Sequence, residues 1–161
     1  MTGESYAITL SFPPRAVQKV VNPILRFLLA TPVMGAARKQ LMVVSFNGRK
    51  TGRRYSLPLS AYRIDNDLYA MSDATWTRNF REVATAQVLY DGKTTTMRGE
   101  LIQDRSAVAD LYRHFAESKG VKNAQRMMAM KFRDRQMPTL QDFTEAVERY
   151  HLVAVRFTPA A

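Results

Sequence analysis

Two strand-like runs joined by a short cationic insert constrain this chain more than any other feature. Leu41-Met42-Val43-Val44-Ser45-Phe46 is apolar, β-branched and aromatic, and Tyr55-Ser56-Leu57-Pro58-Leu59-Ser60-Ala61-Tyr62 is a second run of strand character. Between them lies Asn47-Gly48-Arg49-Lys50-Thr51-Gly52-Arg53-Arg54, with glycine at two positions. The simplest structure for this pattern is an antiparallel hairpin. Pro58 cannot donate to a ladder, so the second strand should lie at a sheet edge or carry a bulge. Arg49, Lys50, Arg53 and Arg54 concentrate positive charge at the tip. A glycine-containing turn can present several backbone N–H groups on one side, and with guanidinium forks these form a receptor for phosphate or carboxylate. A solvated hairpin tip with its cations in water fits the same residues.

Charge favours a receptor somewhere on the protein. The 161 residues carry a formal net charge of +10, which points to nucleic acid, an acidic membrane surface or a multiply charged small molecule as partner. The length suits one domain with a substantial core. There is no cysteine, so no disulfide framework, which fits a reducing compartment. Met1-Thr2-Gly3-Glu4-Ser5 lacks the features of a secretory signal, and a cytoplasmic location is expected.

Taken in order, residues 1–12 read as an extended leader. Prolines at 13, 14, 23 and 32 then punctuate short helices expected over 14–21, 23–30 and 32–39. Their stripe of Val17, Val20, Val21, Ile24, Leu25 and Leu28, with Arg15, Lys19 and Arg26 outside it, can pack on the domain or on a second subunit, or lie on an anionic membrane surface. We divide the chain into this leader with its helices (1–39) and a barrel portion (40–161). After the cationic hairpin, Asp65-Asn66 should turn into a strand at 68–72, and a short helix is expected over 76–84. Asp91-Gly92 is the strongest hairpin signal, joining 88–90 to 94–102. Asp104 should cap a helix ending near Gly120, a Met-rich helix should cover 122–133, and Thr139 with Asp142 should cap another. Leu152 to Phe157 reads as a buried closing strand. About six short strands with helices at their ends predict a small antiparallel barrel of the α+β class.

The chain offers little chemistry of its own. His114 and His151 are too few and too far apart for a metal site without cysteine, and His114 beside Phe115 suits a structural role. No nucleophile elbow and no P-loop or Rossmann fingerprint appears. A cofactor is the natural supplier of any difficult step. Trp76 and Asn79 stand three apart after Ser72-Asp73-Ala74-Thr75, so a helix would put them on one face. A flat indole beside an amide suits a planar heteroaromatic ring, although a lone tryptophan also serves as core with Asn79 in solvent.

The run Val44-Ser45-Phe46-Asn47-Gly48-Arg49-Lys50-Thr51-Gly52, followed by Pro58-Leu59, resembles the signature of the deazaflavin-dependent nitroreductase family. The likeness continues through Leu68 to Ser72, Trp76-x-x-Asn79, the Asp91-Gly92 hairpin and Leu152 to Pro159. It covers residues 36–103 well and the remainder loosely. The resemblance implies a split β-barrel that binds coenzyme F420, a 5-deazaflavin, in preference to flavin mononucleotide. It implies hydride transfer to a hydrophobic quinone, nitro compound or enone. By the same likeness, Arg49, Lys50, Thr51 and Gly52, within a motif that includes Asn47, Gly48, Arg54 and Pro58, hold the phosphate and polyglutamate tail. Ser72, Trp76 and Asn79 line the ring, and Ser72 and Tyr112 are the nominated hydroxyls for proton delivery or substrate gating. Tyr112 also fits a plain core role. Tyr55 stands where the family usually has a basic residue, with Arg54 beside it, and the loop before Trp76 is short. The resemblance also implies a homodimer.

Two other readings compete. Met127, Met128, Met130 and Met137 can form an adaptable apolar pocket, as in a non-catalytic lipid- or fatty-acid-binding protein of the same fold, or simply fill a core. Nucleic-acid binding has only the charge in its favour, since no recognition helix or stacking pattern accompanies it.

Overall fold

The computed structural model describes residues 6–10, 39–72 and 75–160. The helices expected over 14–21 and 23–30 fall outside these residues, as does all of the one expected over 32–39 except Lys39. Among the described residues there are nine strands, where about six were expected. They are β1 (Ile8–Leu10), β2 (Leu41–Asn47), β3 (Arg54–Ser60), β4 (Tyr62–Ile64), β5 (Asp67–Ser72), β6 (Ala84–Tyr90), β7 (Lys93–Ile102), β8 (Met130–Phe132) and β9 (Val153–Pro159). The chain forms two compact units, one holding most of residues 39–101 with 154–160, the other holding 6–10, 71–72 and 102–153.

The larger unit is a seven-stranded sheet in the order β3-β2-β6-β7-β9-β5-β4. The order forces it to curl. β3 and β4 occupy opposite edges, yet only Ala61 separates Ser60 from Tyr62 in the chain. In a flat sheet the edges would stand about 29 Å apart, at ~4.8 Å per strand. Two peptide links reach only about 7 Å. The edges therefore meet, and the curled antiparallel sheet is a split barrel of the α+β class. Pro58 lies on the edge strand β3, opposite Val43, where its missing N–H costs no inner ladder bond.

Alternation along the strands fills the interior. Met42, Val44 and Phe46 from β2, Ala86 and Val88 from β6, Met97 from β7, Val155 and Phe157 from β9, and Leu68 and Ala70 from β5 share one buried cluster. Tyr62 is buried in the same unit, and burial pushes its phenol above the usual range despite an opposing hydrogen bond with Ser60. The turns obey the sequence. Asp91 and Gly92 both take positive φ (50° and 79°), and Asp65 takes 55° between β4 and β5.

Where a short helix over 76–84 was expected, the chain makes a 3-10 turn over Thr75–Phe80 and enters β6 at Ala84. The β-branched and small residues Val83-Ala84-Thr85 favour the strand, which cuts the turn short. Phe80, fully buried, caps the cluster, with its ring centroid 5.2 Å from that of Phe46 and 5.5 Å from that of Phe157. Its fit depends on Gly99 in β7. A Cβ there would stand 2.4 Å from Phe80 Cδ1 and 2.9 Å from Phe157 Cε1, and neither sealed ring can swing away. Gly99→Ala should therefore lower stability by about 1–3 kcal/mol, the usual cost of overpacking. Chemical denaturation would read this as an earlier midpoint at unchanged slope; an unaltered midpoint would show that the rings can yield.

In the smaller unit β1 pairs antiparallel with β8, and the helices are α1 (Arg105–Lys119), α2 (Val121–Met128) and α3 (Leu140–Tyr150). Asp104 caps α1 by accepting from the Ala107 N–H at 3.0 Å, and Gly120 ends it with φ 82°. Thr139 and Asp142 form the reciprocal box expected at the start of α3. The Met-rich helix is shorter than expected. It stops at Met128 because Ala129 turns left-handed (φ 54°) and Met130 begins β8. Met127, Met128 and Met130 are buried and Met137 is half-buried. Arg149 ties the leader strand down: its guanidinium donates to the Ile8 carbonyl, pairs with Glu145 and lies 3.6 Å from the Tyr6 ring centroid. Its pKa is raised, with burial pulling it down but the Tyr150 and Glu145 interactions prevailing.

Candidate functional site

The cationic insert is a six-residue loop between Asn47 and Arg54, which face each other at the end of the β2–β3 ladder. Its shape follows from few groups. Gly48 N–H donates to the Arg53 carbonyl at 2.7 Å, Gly52 N–H to the Gly48 carbonyl at 2.8 Å, and Arg53 N–H to Thr51 Oγ1 at 3.2 Å. Gly52 supplies the left-handed step (φ 71°). Gly48 is held bare for another reason, since a Cβ would approach Tyr55 Cε2 to 2.8 Å. The N–H groups of Lys50 and Thr51 make no hydrogen bond among the described residues. They are the loop donors that remain for a ligand.

The 3-10 turn faces this loop, and its period explains which residues do so. With three residues per turn, side chains three apart eclipse one another. Thr77 and Phe80 point inward, 4% and 0% exposed, while Trp76 and Asn79 form one outward row and Thr75, Arg78 and Arg81 another. Both outward rows line a cavity of about 730 Å³, shared with Phe46, Gly48, Arg49, Lys50, Thr51 and Tyr55. That volume falls within the range of small-molecule sites. Its floor is aromatic: Phe46 stacks on Tyr55 at 5.6 Å, and Trp76 lies tilted at 6.3 Å from Phe46. Trp76 is half-buried, packed against the barrel interior on one side and open to the cavity on the other.

Asn79 locks the two walls together. Its Oδ1 accepts from the Arg49 N–H and its Nδ2 donates to the Trp76 carbonyl, both at 2.8 Å. The Arg49 guanidinium lies 3.3 Å from Glu82, both side chains largely in water. Lys50, Arg78 and Arg81 form no ion pair among the described residues.

Of the residues nominated from sequence, Gly48, Arg49, Lys50, Thr51, Trp76 and Asn79 come together in this cavity. Asn47, Gly52, Arg54, Pro58, Ser72 and Tyr112 are not among its lining residues. Asn47 and Arg54 end the ladder, Pro58 sits within β3, Ser72 ends β5, and Tyr112 is 2% exposed on α1. His114 is exposed, its ring edge-on to Phe115. Sequence reasoning missed Phe46, Thr75, Arg78 and Arg81. The signal for the last three was a three-residue spacing across 75, 78 and 81, obscured by the assumption of an α-helical period.

The fold and site together define an α+β split barrel whose hairpin tip forms a cation-walled, aromatic-floored cavity. No protein-family model and no curated protein matches the chain. Among solved structures it is similar to a domain-swapped dimer, with TM-score 0.45 and 11% identity over 88% of this chain and 98% of that one. It is also similar to a NimC/NimA family protein from Clostridium acetobutylicum (TM-score 0.41, 10% identity, 89% of this chain and 82% of that one). A third is the conserved hypothetical protein Rv2991 from Mycobacterium tuberculosis (TM-score 0.43, 10% identity, 99% of this chain and 87% of that one). Likeness at this level assigns no activity to this chain. Among the described residues no group of three His, Cys, Asp or Glu side chains could hold a metal, and no helix is long and apolar enough to cross a membrane.

Proposed function

We propose that the cavity binds a deazaflavin coenzyme of the F420 type and that the protein is an oxidoreductase acting on a hydrophobic quinone, nitro compound or enone. One observation carries the reading: the cationic loop, with Phe46 and Tyr55 at its base, shares one cavity with Trp76 and Asn79 from a turn remote in sequence. The residues present fit such a group. The N–H groups of Lys50 and Thr51, which make no hydrogen bond among the described residues, suit with the side chains of Arg49 and Lys50 the phosphate and carboxylates of its tail. The faces of Trp76 and Tyr55 suit its planar ring. When bound in reduced form, the coenzyme supplies a hydride to an electron-poor acceptor. The chain contributes binding and orientation, and the proton completing the reduction comes from water; Ser72 and Tyr112, nominated by resemblance, are not among the cavity's lining residues. A homodimer and a membrane contact through residues 14–39 belong to the same proposal.

Titration of the purified protein with oxidised F420, followed by the fluorescence of both the coenzyme and the lone Trp76, tests this directly. Saturable quenching of both signals is expected, with flavin mononucleotide binding more weakly. Absence of saturation by F420 would reject the coenzyme, and retention of an acyl chain in native mass spectrometry without turnover would favour the lipid-binding reading instead.

A further inference from the structure

We infer that Glu82 is a built-in competitor for the cavity's anionic ligand, and that it sets a charge threshold: ligands with two or more adjacent negative charges are admitted, singly charged ones poorly. This deepens the proposed function and rests on the same cavity. Four cations line it, Arg49 and Lys50 from the loop and Arg78 and Arg81 from the facing turn. Only Arg49 among them is in an ion pair among the described residues, and its partner is Glu82 at 3.3 Å.

The pair is no structural clamp. Its side chains are 48% and 82% exposed, and ion pairs so exposed contribute little to stability. The loop is held by backbone bonds and by Asn79 without it. What Glu82 does is electrostatic. Glu82 does not itself line the cavity, but its carboxylate lies 3.3 Å from the guanidinium of Arg49, which does, so it competes with an incoming phosphate for that cation. A single carboxylate merely exchanges one partner of Arg49 for another. A pyrophosphate or a phosphate with neighbouring carboxylates can displace Glu82 and engage Lys50, Arg78 and Arg81 at the same time. Cations on both walls, arriving from segments nearly thirty residues apart, suit such an extended anion better than a point charge.

The test is isothermal titration of Glu82→Gln and the unaltered protein with inorganic pyrophosphate, acetate and oxidised F420 at low salt, repeated at about 0.5 M salt. Glu100→Gln, an exposed acid on β7, gives the same change in net charge away from the cavity. Removal of an exposed competitor should tighten pyrophosphate by about two- to five-fold. Glu100→Gln should alter it less than two-fold, and the gain should largely vanish at high salt, where exposed charges are screened. Acetate should gain by a similar factor, because it too must displace Glu82 from Arg49, and so rise from poor towards measurable binding. Equal behaviour of the two variants, weaker binding by Glu82→Gln, or no pyrophosphate binding by either form would overturn the inference. Pyrophosphate binding with the expected gain, but no F420 binding, would reject the coenzyme and leave the role of Glu82 standing. F420 binding indifferent to Glu82 would do the reverse.

Discussion

Replacing Arg49 and Lys50 together by alanine should weaken oxidised F420 binding by about 30- to 100-fold while leaving the fold unchanged. Hydrogen bonds to charged groups carry more than neutral ones, and two lost from a preformed loop account for a change of this size after allowance for solvent screening. Both side chains are exposed, neither packs in the core, and the loop's internal hydrogen bonds are made by other groups. His114→Ala, which removes an exposed ring on α1, should change affinity less than two-fold. The loss should be steeper in low salt than in high, since much of the attraction is long-range. A double variant that binds as tightly as the starting protein would mean that the ligand does not sit on the loop at all.

The hairpin on which that expectation stands was legible because every local signal agreed. β-branched strands, glycines at the turn and a proline confined to an edge describe one structure only, and the register from Leu41 opposite Ser60 to Asn47 opposite Arg54 realises it. Asp91-Gly92 and the two helix caps were legible for the same reason: each is a short-range device whose partners lie within a few residues. What stayed hidden was long-range. Nothing local marks Ala61 as the point where opposite sheet edges meet, since that depends on the order of all seven strands. The requirement for Gly99 arises only from two rings contributed by other segments. Nothing local singles out Arg78 and Arg81 until the turn that carries them is set against the loop. The Met-rich segment misled by composition: methionine favours helix, but a left-handed Ala129 ends it and Met130 and Phe132 pair with β1.

Asn79→Ala should weaken both F420 and inorganic pyrophosphate by about ten-fold, and the second effect is the informative one. If the amide served only to contact a ring, its loss would spare a ligand that has no ring. In the structure both ends of the amide are engaged within the protein, one by the Arg49 N–H and one by the Trp76 carbonyl. Cutting them releases the loop from the turn, so the Lys50 and Thr51 donors and the aromatic floor are no longer held in register before a ligand arrives. Two ordinary hydrogen bonds, partly open to solvent, contribute about 1–2 kcal/mol together, which for a chain of this size lowers the melting temperature by roughly 2–8 °C. The same free energy, now required to order the loop on binding, corresponds to about ten-fold in affinity. Asn79→Asp separates the two contacts. One carboxylate oxygen still accepts from Arg49, while the other faces the Trp76 carbonyl and repels it, so loop order should survive better than the seating of Trp76. Its tryptophan emission should then shift while thermal stability falls less than in Asn79→Ala; pyrophosphate affinity falls in both variants, because the added carboxylate repels an anion at the loop. Loss of F420 affinity alone, with pyrophosphate binding and thermal stability unchanged in Asn79→Ala, would return the residue to the ring-lining role that the family resemblance implies.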